Sequence, residues 1–166
     1  MGEGILMMYG NARRREYTRT LQEFANRVVN RSKPNGSMYI FGKTSKSILE
    51  NLRSAGIEIK SETAVITDRT VNKYINHPKA KKGAVVSFRR FRIVESAVKH
   101  PKNVYIDTKR SRLVYVASTR YSSKKVLKVV IEPNQKVRGK YYSKVTSIGV
   151  VNRTDMNDRK QYKKIK

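Results

Sequence analysis

The chain has no cysteine. That excludes disulfides, thiolate metal sites and a cysteine nucleophile, and it fits a reducing cytoplasm. Histidine is nearly absent too, with two in 166 residues, and only 12 residues are Asp or Glu. No two carboxylates stand close together on a likely strand, and Asp68 and Asp107 are isolated in sequence. Zinc and two-metal chemistry need clustered ligands, so the expectation is no metal and no cofactor. No apolar run approaches membrane-spanning length, so no membrane partner is expected. The opening run Ile5 to Met8, then Tyr9, is too short for a signal-peptide core and has no basic residue before it. Gly2 is not a myristoylation site, because position 6 is Leu rather than Ser or Thr.

Against the few acids stand 38 Lys and Arg, a formal net charge of +26. Such an excess repels itself in a compact state and is useful toward a polyanion, whose condensed counterions are released when a cation neutralises a phosphate. The basic residues run from Arg13 to Lys166 and are interleaved with tyrosines. The expected partner is RNA or DNA. Charge alone does not separate a protein that cuts that partner from one that holds it.

Periodicity predicts an α+β order, helices first and sheet second. Residues 11–30 read as an amphipathic basic helix, with Tyr17, Leu21, Phe24 and Val28 on one face and Arg13, Arg14, Arg15 and Arg19 in its first half. The cluster around Pro34, Asn35 and Gly36 ends it. A strand follows over 37–42, a helix over 45–55 and a short strand over 64–67. Asp68 is placed to cap a helix that stops before Pro78. Phe88, Phe91 and Val98 mark a further helix ending at His100 and Pro101. The period then changes to two, and four strands with short connections predict an antiparallel meander. The expected organisation is a basic helical extension over 1–36, an α+β domain over 37–152 and a frayed basic tail over 153–166.

One near-motif is set aside. Gly36, Gly42, Lys43 and Thr44 almost spell a phosphate-binding loop, but five residues separate the glycines where that loop needs four. The five include Met38 to Phe41, which read as a strand.

Metal-free RNA cleavage asks for a base to take the 2′-hydroxyl proton, an acid to protonate the leaving 5′-oxygen, and cations to stabilise the phosphorane. Histidine suits the proton steps, and its candidates are His77 and His100. His77 ends a helix and precedes a basic loop bearing Lys79, Lys81 and Lys82; His100 is explained as a cationic helix end. Arg13, Arg14 and Arg15 are candidates for a phosphate-binding helix start. Arg138, Lys140, Tyr141 and Tyr142 combine charge and rings on one predicted hairpin, as a nucleic-acid groove would.

From about Tyr39 onward the layout resembles the phage-associated branch of the barnase, EndoU, colicin and RelE-like nuclease superfamily, called PBECR. The features that carry the resemblance are a Gly-Lys-x-Ser-Lys entry (42–46), a Leu-Arg-Ser-Ala-Gly-Ile segment (52–57), and a helix ending in His77. A segment with Pro101, Val104 and Asp107 follows, and then a closing strand with Val145, Thr146 and Ser147. Their order carries it rather than any one of them.

The resemblance implies a small α+β fold of that type, with the N-terminal basic helix as an addition. It also implies metal-independent endoribonuclease activity, phage-encoded or toxin-like, with His77 as acid or base. Thr146 and Ser147 would position the phosphate, and Arg120, Lys125 and Lys128 would offset charge in the transition state. The family's second histidine has no counterpart near His77. The expected setting is the host cytoplasm or a phage virion, with phage-head association or an acidic inhibitor as partner. The alternative is a non-catalytic nucleic-acid-binding protein on a nuclease-like scaffold, with a structural or packaging role.

Overall fold

A computed structural model describes residues 6–8, 15–31, 33–76, 88–119 and 122–166, with side chains described from Thr18 onward except at 76 and 88. The first pair of strands is β1 (Leu6–Met8) and β2 (Arg15–Tyr17), antiparallel to each other. Helix α1 (Leu21–Val29) follows. Thr20 accepts from the Glu23 amide at 3.1 Å, and the Glu23 carboxylate accepts from the Arg19 amide at 3.0 Å. Two amides without helical partners are thereby satisfied at the first turn.

The expected helix over 11–30 is therefore corrected. Residues 15–17 are strand, and the helix starts only where Thr20 caps it. Tyr17 matched the apolar period without belonging to the helix, because a spacing of four residues cannot show where a helix begins.

The rest of the chain runs β3 (Met38–Lys43), α2 (Lys46–Ser54), β4 (Thr63–Thr67), α3 (Asp68–Asn76), α4 (Phe88–Lys99), β5 (Asn103–Asp107), β6 (Arg112–Ser118), β7 (Lys125–Val137), β8 (Lys140–Asn152), a 3-10 turn (Arg153–Asn157) and β9 (Tyr162–Lys164). Strands β3 to β9 form one seven-stranded sheet in the order β3-β4-β8-β7-β6-β5-β9. Every pairing is antiparallel except that of β4 with β8, where Ala64 faces Ser143 and Val65 faces Lys144.

This overturns the expected four-stranded antiparallel meander. Strands β5 to β8 do lie in sequence, but β4 joins β8 in parallel, β3 forms one edge, and β9 adds to β5 at the other. A parallel pairing between segments some eighty residues apart leaves no local period in the sequence, so hairpin logic cannot find it.

Alternation along the central strands sends residues to two buried faces. Leu113, Tyr115, Leu127, Val129 and Ile131 face the helices, against Leu21, Phe24, Ile48, Leu52, Phe91 and Val94. Val114, Val116, Val126 and Val130 face the other way and are covered by Met156, Tyr105 and Tyr162. The apolar run over 126–131 is broken only by Lys128 because both of its faces are covered.

Two consequences concern the chain ends. Helix α1 buries Leu21, Phe24 and Ala25 completely in the same core as α4 and the sheet. Residues 153–166, expected to fray, instead form the 3-10 turn and β9, whose Tyr162, Lys163 and Lys164 pair with Asp107, Ile106 and Tyr105.

Asp68 also departs from its expected role. Its Oδ2 accepts from the amides of Asn35 (2.8 Å) and Gly36 (3.0 Å), tying the loop before β3 to the start of α3. The cap falls instead to Thr67, whose Oγ1 accepts from the Thr70 amide at 3.4 Å. Within the near-motif, Met38 to Lys43 is strand β3, as the residues Met38 to Phe41 indicated.

A candidate nucleic-acid interface

His77, Lys79, Lys81, Lys82, Arg13, Arg14 and Arg120 lie outside the described residues. Arg15 pairs with Met8 in β2, and its side chain is not described. Of the remaining expected catalytic groups, Thr146 sits at a β-bulge. Val130 faces Ser147 and Ile131 faces Val145, so Thr146 has no partner across the ladder, and its Oγ1 is buried without a hydrogen bond. The Ser147 hydroxyl accepts from the Tyr74 hydroxyl at 3.3 Å.

Lys125 is exposed at the start of β7. Lys128 alternates with Val126 and Val130 and so faces away from the helices; its Nζ donates to the Tyr162 hydroxyl at 3.2 Å and lies 5.4 Å from the ring centre. No hydrogen bond joins Thr146, Ser147, Lys125 and Lys128 to one another. As a cleavage centre these four are not assembled among the described residues. Nor do any three His, Asp or Glu side chains come together as a metal site among them.

The hairpin of β7 and β8 does gather its expected groups. Arg138 and Gly139, both with positive φ (50° and 82°), make the two-residue turn between Val137 and Lys140. The Arg138 guanidinium reaches back to donate to the Asn35 carbonyl at 3.0 Å and lies against Gly36. Tyr141 is the exposed large apolar side chain among the described residues, at 38%. The Lys60 and Lys136 ammonium groups lie 4.6 and 5.7 Å from its ring centre. Lys140 is exposed beside it and Tyr142 is half-buried. A ring flanked by cations offers stacking and phosphate contact together.

A second basic site was not anticipated. A pocket of about 790 Å³ opens between α4 and the β5–β6 ribbon. Arg89, Ile93 and Ser96 on α4, and His100 just past its end, recur at spacings of four, three and four, which puts them on one stripe beside the buried Phe91, Val94 and Ala97. Arg92 and Lys102 join the rim, while Ile93, Ala97 and Ala117 supply an apolar floor. Ser118 and Asn103 add polar groups from the strand ends. Among the described residues, no carboxylate lines this pocket.

The reason is visible on the same helix. Glu95 is the acid of α4, and it points elsewhere: its carboxylate takes the Tyr39 hydroxyl (2.7 Å), the Lys99 ammonium (2.7 Å) and the Leu21 amide (2.9 Å). Burial pushes the Glu95 carboxyl up, but the donations from Lys99, Tyr39 and the Leu21 amide outweigh it and hold the group below the ordinary carboxylate range. Glu95 is thereby spent on anchoring α1 and neutralising Lys99. Among the described residues, no acid faces Arg89, Arg92 and Lys102 across the pocket.

Guanidinium groups in such a setting match the oxygens of a phosphate in pairs. The imidazole of His100 adds a further hydrogen-bonding group. Sequence reasoning named His100 as a candidate but ranked it below His77, as a helix end, and passed over Arg89 and Arg92. The signal that would have found them is the Arg-Arg-x-Arg run at 89–92 laid on the helical period together with His100. No protein-family model, no curated protein and no solved structure matches this chain.

Proposed function

We propose that this protein binds nucleic acid, RNA before DNA, through the α4–β5–β6 pocket and the β7–β8 hairpin. One observation carries the reading: a pocket rimmed by Arg89, Arg92, His100 and Lys102 with no carboxylate among the described residues of its lining. Cations held together without counter-charge are relieved by a polyanion and by little else that is abundant in a cell. The hairpin supplies a second point of attachment. Val116 and Ser118 at the pocket pair with Lys128 and Val126 near the start of β7, whereas Arg138 sits past its end. Ten residues at ~3.3 Å each put the two patches about 30 Å apart along the strand. A polymer can bridge that span and a small anion cannot.

The test is filter binding of a labelled RNA across a salt series. The Arg89→Ala/Arg92→Ala variant should bind more weakly and with a log–log salt slope shallower by about 0.7 for each phosphate no longer neutralised. Unchanged affinity and slope would remove the pocket from the interface.

A second reading is metal-independent cleavage of RNA by general acid and base groups. His100, standing in the cationic pocket, favours it, and so does the order of segments resembling the phage-associated nucleases. His77 remains the acid or base that the resemblance implies. Wild type, His77→Ala and His100→Ala are incubated with labelled RNA in EDTA. Loss of a true proton shuttle lowers the rate about 10²- to 10⁴-fold. No product from wild type leaves binding as the whole activity.

A further inference from the structure

We propose that the pocket between α4 and the β5–β6 ribbon takes one unpaired nucleotide, so that the protein selects single-stranded nucleic acid over duplex. This rests on the nucleic-acid reading above and concerns what that site discriminates.

The pocket has two chemistries at two depths. Its rim is cationic, with Arg89, Arg92, His100 and Lys102. Its floor is apolar and low, built from Ile93, Ala97 and Ala117. Two of the three floor residues are alanines, which leaves space where larger side chains would close it. The volume of about 790 Å³ lies within the range of sites that enclose small organic molecules. A phosphate alone needs the rim and has no use for the floor. A nucleotide uses both, with its phosphate on the guanidinium groups and its base and sugar over the methyl groups below.

Duplex nucleic acid presents phosphates outward and keeps its bases stacked, so it meets only the rim. To fill the floor it would have to unstack and unpair a base, at a cost of a few kcal/mol. A single strand has little of that cost. Ser96, on the α4 stripe, carries a hydroxyl in the pocket lining where a base edge or a ribose would pass.

The experiment compares single-stranded and duplex RNA of equal length by fluorescence anisotropy. The filling variant is Ser96→Leu, neutral and at an exposed position of the α4 stripe. It should weaken single-strand binding about tenfold, the scale of removing one stacked base, and leave duplex binding within about twofold. The rim variant Arg89→Ala/Arg92→Ala should weaken both. Equal weakening on both substrates in the filling variant, or none on either, overturns the single-nucleotide pocket while the rim result still stands for the nucleic-acid reading. Unchanged binding in the rim variant removes the pocket from the interface and overturns the nucleic-acid reading of this site.

A second measurement does not depend on the filling variant folding. Wild type is titrated with inorganic phosphate and with a nucleoside monophosphate while the Ile93, Ala97 and Ala117 methyl groups are followed by NMR. Methyl shifts with the nucleotide beyond those with phosphate support the proposal. Identical shifts reduce the pocket to a phosphate site and overturn it.

Discussion

Glu95 illustrates how one side chain serves stability and function at once. Its carboxylate binds Tyr39, Lys99 and the start of α1, and this keeps negative charge out of the pocket on the other side of α4. Burial, and then the neighbouring Glu95, push the Tyr39 hydroxyl far above its ordinary value, so it stays a donor at any workable pH. Because the folded state lowers the titration point of Glu95, its contribution is fully present above the ordinary carboxyl range near about pH 4.3. It is lost as the pH falls through the lower folded value. Glu95→Gln should cost about 2 kcal/mol at neutral pH, the scale of a charge-assisted hydrogen bond, and less at acid pH. Thermal melts of both proteins between pH 3 and 7 would show the two curves converging at the acid end.

Gly36 is a second residue whose identity is dictated locally. Its φ of +84° suits glycine, and a Cβ placed there would run into the Arg138 guanidinium. Gly36→Ala should destabilise by about 1–2 kcal/mol from backbone strain alone. In an Arg138→Ala background the collision is gone and only that strain remains. A double-mutant cycle in urea reads the difference, and full additivity would mean that the two groups do not meet.

The elements differ in how readily they could be read. Helix α2 was plain from Ile48, Leu49 and Leu52 with Ser45 ahead of them, and Ser45 does accept from the Ile48 amide, at 3.4 Å. Strands β5 to β8 followed from the change of period at Val104. What escaped was pairing at a distance: β4 beside β8, and β9 beside β5. Tyr162-Lys163-Lys164 has no apolar alternation, and its strand is made by β5 and by the Val104 and Lys166 backbone groups that bond beyond it.

The pocket was illegible for a related reason. Arg89 and Arg92 were visible, but the absence of a carboxylate among the described residues of the pocket depends on where Glu95 turns, which only the packed helix decides. Helix α1 offers a sharp element-scale check. Phe24 is completely buried, so Phe24→Ala should cost about 3–5 kcal/mol. A change under about 1 kcal/mol in urea unfolding would mean that α1 is an appendage after all.

At the scale of the molecule, +26 charges on 166 residues oppose compactness, and both faces of the sheet must supply the compensating burial. The melting temperature should therefore rise between about 50 and about 500 mM NaCl as screening shortens the range of repulsion. A flat or falling trend would show that the charges are already balanced locally.

A sheet of seven strands still has two rims where backbone groups face outward. On one of them the chain has laid three residues, two of them exposed lysines, over β5 with its Val104 and Ile106. A strip so short and so charged is a poor template for another molecule's strand. Shaving it off would leave a longer, more apolar border ready to recruit neighbours. Strand β9 thus acts as a selvedge, a short charged hem on which a neighbouring sheet gains little hold.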